Sequence, residues 1–141
     1  MTKACLRIAV VDDEEPVRKA LMRLMRSVGL SAETFASGPE FLKSIETRLP
    51  DCVVLDLHMP HMNGFNVQAH LARKYAALPV IIITGHDVPQ ARERAMERGA
   101  SAFLRKPVLE HILLDAIYAA TSSAKPGGSP NGKLNSPIKS Q

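Results

Sequence analysis

Short apolar runs alternate with longer stretches of helical period along this chain. Leu6-Arg7-Ile8-Ala9-Val10-Val11, Cys52-Val53-Val54-Leu55 and Val80-Ile81-Ile82-Ile83 are β-branched and continuous rather than alternating. Runs of that kind suit parallel strands buried on both faces. Two weaker strands are expected over Ser31 to Phe35 and Ser101 to Leu104. Between the strands, Val17, Ala20, Leu21, Leu24, Met25 and Val28 recur three and four residues apart, with Pro16 in the first turn and Gly29 as the stop. Ser37 and Glu40 have capping-box spacing ahead of Phe41, Leu42 and Ile45. A third helix follows Gly64, and a fourth is expected from Pro89 to Arg98 with Gly99 as its end. A fifth places Leu109, Ile112, Leu113, Ala116, Ile117 and Ala120 on one stripe. Five β/α units imply an α/β fold with a doubly wound, five-stranded parallel sheet. Each crossover must be right-handed and must cover the sheet, so helices lie on both faces.

A length of 141 residues suits one domain. With 45% hydrophobic and 23% charged residues, the chain is neither largely disordered nor collagen-like. No apolar run approaches the roughly 20 residues needed to span a bilayer, and the first residues do not resemble a signal peptide. A cytoplasmic protein without membrane contact is the expectation. Two cysteines make no disulfide framework; both are expected at strand starts as free thiols in a reducing compartment. The net charge of +4 changes the picture little. Lys125, Lys133 and Lys139 follow Thr121 with no acid among them, and without them 15 basic face 14 acidic side chains. The positive balance therefore belongs to a Pro/Gly/Ser-rich end rather than to a basic face that would suit nucleic acid. The folded unit is expected over 3–121, and 122–141 as a flexible linker or tail.

In an open parallel sheet, ligands bind beyond the carboxyl ends of the strands, where strand order reverses. Asp12, Asp13, Glu14 and Glu15 follow the first strand, Asp56 the third, Thr84 the fourth and Lys106 the fifth. Crowded carboxylates disfavour ionisation and need a compensating cation. An oxygen-only cluster suits a hard ion, with Mg2+ the natural choice and Mn2+ a substitute. A carboxylate beside such an ion can attack phosphorus, with Lys106 neutralising one phosphoryl oxygen and Thr84 donating to another. The competing reading of Asp12 to Glu15 is a simple favourable charge at a helix N-terminus.

Together, Val10-Val11-Asp12-Asp13-Glu14, Leu55-Asp56-Leu57-His58-Met59-Pro60-His61-Met62-Asn63-Gly64, Ile83-Thr84-Gly85-His86 and Phe103-Leu104-Arg105-Lys106-Pro107 resemble the receiver domain of bacterial two-component response regulators. The resemblance covers about residues 5 to 121. It implies the flavodoxin-like strand order 2-1-3-4-5. It implies Asp56 as phosphoacceptor from a sensor histidine kinase, Asp13 as direct metal ligand, Asp12 as a ligand through water, and the His58 backbone carbonyl as a further ligand. Thr84 and Phe103 take the switch positions, Lys106 pairs with the phosphoryl group, and Lys106-Pro107 takes the position of a cis peptide. Thr84-Gly85-His86-Asp87-Val88-Pro89 is similar to receivers that precede LuxR-type helix-turn-helix domains, although Val108 stands where that branch often has Phe.

The function so implied is a phosphorylation-activated switch. The face made by the fourth helix, fifth strand and fifth helix would change to control a partner or an output domain, transcriptional in kind, or form a homodimer. Catalysis would be limited to self-catalysed phosphotransfer and autodephosphorylation. Direct sequence-specific DNA binding is not expected of this chain, because no helix-turn-helix follows Thr121. A Mg2+-dependent aspartyl-phosphate phosphatase or phosphotransferase is the enzyme alternative; haloacid-dehalogenase-type enzymes want a second Asp two residues after the nucleophile, where this chain has His58. A flavodoxin would want a hydroxyl-rich loop after the first strand, and the loop here is acidic. A phosphorylation-independent interaction domain is the third alternative. His58 and His86 either screen the hydrolytic water or face solvent.

Overall fold

In the computed structural model, residues 5–86 and 88–123 are described. Five strands, β1 (Arg7–Val11), β2 (Ser31–Phe35), β3 (Cys52–Asp56), β4 (Val80–Thr84) and β5 (Ala102–Arg105), alternate with five helices. The helices are α1 (Glu15–Ser27), α2 (Gly38–Ile45), α3 (Gly64–Lys74), α4 (Ala91–Glu97) and α5 (Glu110–Ser123). The sheet order is β2-β1-β3-β4-β5, and every pairing is parallel.

The strand period of two divides the core. Ala9, Val11, Val53, Leu55, Val80 and Ile82 join Phe41 and Ile45 of α2, Val67 and Leu71 of α3, and Ala91 and Ala95 of α4. Ile8, Val10, Cys52, Val54, Ile81 and Ile83 join Leu21, Leu24 and Met25 of α1 and Leu113 and Ile117 of α5. Both faces of the central strands are thus dry, which is why their sequences read as continuous apolar runs. Among the described residues no helix is long and apolar enough to cross a membrane.

Local signals fix the helix starts. Ser37 Oγ accepts from the Glu40 amide at 3.3 Å, and Pro39 sits in the first turn of α2. Asn63 and Asn66 close a reciprocal capping box at 2.9 Å in each direction ahead of α3. Gly64 is required by space: a Cβ there would lie 2.9 Å from Leu57 Cα and 3.0 Å from the Asp56 carbonyl oxygen. The start of α3 is therefore pressed onto the backbone that carries Asp56.

Several expectations shift. The fourth helix begins at Ala91, after Gln90 takes a left-handed φ of 66° that no αR helix continues through. The stripe of α5 is narrower than its sequence suggests: Leu113 and Ile117 are fully buried, but Leu109 is 61% exposed and Ile112 is 40% exposed. Cys5 lies outside β1 and is exposed, its Sγ 2.9 Å from the Gly29 carbonyl, whereas Cys52 is buried at the start of β3. Burial and the neighbouring Asp51 charge push the Cys52 thiol up to about 12. The expected tail falls mostly on 124–141, outside the described residues.

Candidate functional site

Strand order reverses at β1, which has β2 on one side and β3 on the other. Asp12 leaves β1 here, Asp56 ends β3, Thr84 ends β4 and Lys106 follows β5. Backbone hydrogen bonds zip these strand ends together, from the Asp12 amide to Phe35, the Leu57 amide to Ile83 and the Lys106 amide to Thr84. The rim is therefore as rigid as the sheet.

Carboxylate oxygens of Asp12, Asp13 and Asp56 all lie within 4.8 Å of one another. Asp12 and Asp56 are buried and Asp13 is exposed. Lys106 reaches over them. Its Nζ stands 2.9 Å from Asp12 Oδ2, 3.0 Å from Glu14 Oε1 and 3.5 Å from Asp56 Oδ1. Asp12 Oδ1 accepts from the Glu14 amide at 2.8 Å, and the Arg18 guanidinium donates to the Asp12 carbonyl at 2.8 Å. The His58 amide donates to Asp56 Oδ1 at 3.4 Å.

One ammonium does not neutralise this crowd. Burial, then the Asp12 charge, raise the Asp56 carboxyl to about 7, against the opposing pull of Lys106. Asp12 is raised too, chiefly by burial. Burial alone would lower Lys106, but hydrogen bonds to Asp12 and Glu14 outweigh it and raise its pKa. Apart from the Lys106 ion pair, Asp12 Oδ2 is a buried acceptor with no hydrogen-bond partner among the described residues. Such a site lacks positive charge and offers hard oxygen donors, so it fits a divalent cation of the Mg2+ type.

Residues 8–118 match the response regulator receiver domain. The chain belongs to that family. It is 44% identical over 115 residues to Nodulation protein W of Bradyrhizobium diazoefficiens, covering 81% of this chain and 50% of the relative. It is 39% identical over 135 residues to Response regulator protein TodT of Pseudomonas putida, covering 95% and 57% respectively. The chain thus spans about half the length of the curated relatives it matches. Among solved structures, a response regulator receiver protein from Burkholderia phymatum superposes with a TM-score of 0.73 at 43% identity, covering 82% of this chain and 94% of the other. FixJ-N superposes with a TM-score of 0.75 at 35% identity, covering 84% and 95%.

In this receiver domain the hydroxyl of Thr84, a residue 1% exposed, faces two histidines. His58 Nδ1 lies 3.1 Å from Thr84 Oγ1, and the His86 amide donates to the same oxygen at 3.1 Å. The two imidazoles contact each other, ring centroids 4.3 Å apart. Phe103 stands apart from the carboxylates. It is half-buried against the core under α4, beside a shallow cavity of about 400 Å³ that Val88, Arg92 and Arg105 also line. Arg92 donates to its carbonyl at 3.5 Å. The Lys106-Pro107 peptide is cis. Asp87 lies outside the described residues.

Three participants make contacts that their place after a strand end does not by itself reveal. Glu14 reads as a helix-dipole acid, yet its side chain caps nothing and reaches Lys106. Arg18 lies one turn into α1, and the Glu14-to-Arg18 spacing of four is the signal that it shares that face. The contact of His58 with Thr84 joins the loop after β3 to the end of the neighbouring strand β4; the strand pairing brings the two near, but the residue types do not name the bond.

Proposed function

We propose that this receiver domain is a phosphorylation-activated switch in which Asp56 accepts a phosphoryl group from a sensor histidine kinase. The observation that carries the proposal is the convergence of Asp12, Asp13 and Asp56 under the Lys106 ammonium at the sheet's switch point. Asp13, Asp56, the His58 carbonyl and, through water, Asp12 would hold Mg2+, which when bound screens carboxylate charge from an incoming phosphoryl group. An Asp56 oxygen attacks phosphorus, an O–P bond forms, and the P–N bond to the kinase histidine breaks; the leaving imidazole takes up a proton. Lys106 turns its ammonium from Asp56 to a phosphoryl oxygen, and Thr84 donates to another. Water attack on the same phosphorus later regenerates Asp56.

The new charge rewards a packing in which Thr84 has moved toward it and Phe103 has followed. This shifts the population at the α4–β5–α5 face, with Arg92 and Tyr118 exposed there. The α4–β5–α5 face then acts on a homodimer partner or an output domain. Transcription is the output supported by relatives such as Transcriptional regulatory protein TdiR of Thauera aromatica, 37% identical over 113 residues. Specific DNA contacts would come from such an output rather than from this chain, and the setting would be cytoplasmic.

Intact mass after incubation with acetyl phosphate and Mg2+ tests the chemistry. One added phosphoryl group, lost in Asp56→Asn and in EDTA, is the expected result. No gain in protein shown to bind Mg2+ and to be folded would overturn it in favour of a phosphorylation-independent interaction domain.

A further inference from the structure

We propose that the His58 side chain is a positioning residue that latches Thr84 in the unphosphorylated packing. It thereby sets how readily the hydroxyl can be recruited. The inference rests on the phosphoryl-transfer reading above.

A hydroxyl has one proton and two lone pairs. The Thr84 oxygen accepts from the His86 amide at 3.1 Å and lies 3.3 Å from the His86 carbonyl and 3.1 Å from His58 Nδ1. If the hydroxyl donates to the His86 carbonyl, Nδ1–H donates to its remaining lone pair. With the other tautomer, the hydroxyl donates to Nδ1 instead. His58 is engaged in both arrangements; the first uses all of the hydroxyl's capacity, and in both its single proton is already given to a partner. Among the described residues Thr84 has no hydrogen bond to Asp56. Recruitment to a phosphoryl oxygen must therefore exchange partners, not add one.

The latch is itself anchored. The His58 imidazole leans on the His86 ring at 4.3 Å, and its own backbone amide donates to Asp56 Oδ1. One residue thus touches the phosphoacceptor through its backbone and the switch hydroxyl through its ring. A solvent-facing imidazole would make neither ring contact.

The test uses the full chain as wild type, His58→Ala, His58→Phe, Thr84→Ala and the two double variants, with fluoroberyllate and Mg2+ as the phosphoryl mimic. His58→Phe keeps an aromatic ring against His86 and removes the ring nitrogens. Losing one hydrogen bond that favours the resting packing should tighten fluoroberyllate binding roughly 2- to 10-fold in both His58 variants. The gain should vanish in the Thr84→Ala background. Equal or weaker binding by His58→Phe, or a gain that persists without Thr84, overturns the latch. The Thr84 methyl resonance of metal-free protein reports the contact independently of phosphoryl chemistry. It should move in His58→Phe, and an unchanged resonance overturns the latch. If wild type fails to bind fluoroberyllate while that resonance moves, the contact stands and the phosphoryl-transfer reading falls.

Discussion

Replacing Asp56 by Asn should stabilise the metal-free domain at neutral pH. The buried Asp56 carboxyl is raised from 3.8 to about 7 by burial and by Asp12. A folded pKa above the unfolded one means that the folded state binds more protons between those values. Stability is therefore lost as pH rises from about 4 to about 7, and the full penalty is present above that. The interval corresponds to at most about 4 kcal/mol. Relaxation and coupling to Asp12 and Lys106 reduce it, and an Asn amide adds its own hydrogen-bonding demands, so a gain of about 1–3 kcal/mol is expected. In urea that is a midpoint rise on the order of 1 M for a domain of this size. Lys106, raised above its ordinary value, stays charged throughout the window and adds no slope of its own there. Urea unfolding followed by circular dichroism in EDTA, at pH 5 and pH 7.5, measures the effect. The gain should be large at pH 7.5 and less than half as large at pH 5. Destabilisation at pH 7.5, or a gain independent of pH, would refute the account of the site as crowded negative charge.

Three further outcomes follow from neighbouring features. Lys106→Met should destabilise metal-free protein by about 2–4 kcal/mol at pH 7.5, because Asp12 and Asp56 lose an ammonium at 2.9 and 3.5 Å; a smaller loss at pH 5, seen by the same urea titration, checks the sign. Gly64→Ala should cost about 1–3 kcal/mol and slow phosphoryl incorporation, since its Cβ would meet Leu57 Cα at 2.9 Å; unchanged urea midpoint and mass gain would show that α3 shifts freely. A thiol reagent should label one cysteine per native chain, the exposed Cys5, and reach the buried Cys52 only on unfolding; two fast-reacting thiols would contradict the burial.

The strands and helices were legible because both faces of the sheet are covered. Val53, Val54 and Leu55 serve opposite cores yet are all apolar, so the run itself names a buried parallel strand. The site residues were legible for a related reason: a parallel sheet sends every strand end to one rim, so Asp12, Asp56, Thr84 and Lys106 meet from sequence positions far apart. Helix faces were less legible. Leu109 and Ile112 fit the period of α5 as well as Leu113 does, but periodicity does not say how wide a stripe the sheet can cover. Individual side-chain bonds at the rim were less legible: the pairing of β3 with β4 brings residue 58 near residue 84, but nothing in the sequence says that the His58 ring turns to within 3.1 Å of the Thr84 hydroxyl.

The groups proposed to act on a phosphoryl oxygen are not idle in this state. Lys106 is held by Asp12 and Glu14, and Thr84 by His58 and His86. Phosphorylation of Asp56 would therefore trade existing contacts for new ones of similar kind. The free energy available for switching is the difference between two sets of bonds, not the worth of either set. Such a difference amounts to a few kcal/mol at most, which suits a reversible shift between two packings. Crowding works in the same direction. Burial and the Asp12 charge, which together raise Asp56 to about 7, make the resting site costly above that pH, so a divalent ion that relieves the crowd binds more strongly as pH rises. Mg2+ should accordingly raise the urea midpoint more at pH 7.5 than at pH 5, and should do so far less in Asp56→Asn. Equal Mg2+ stabilisation at both pH values would place the ion away from these carboxylates.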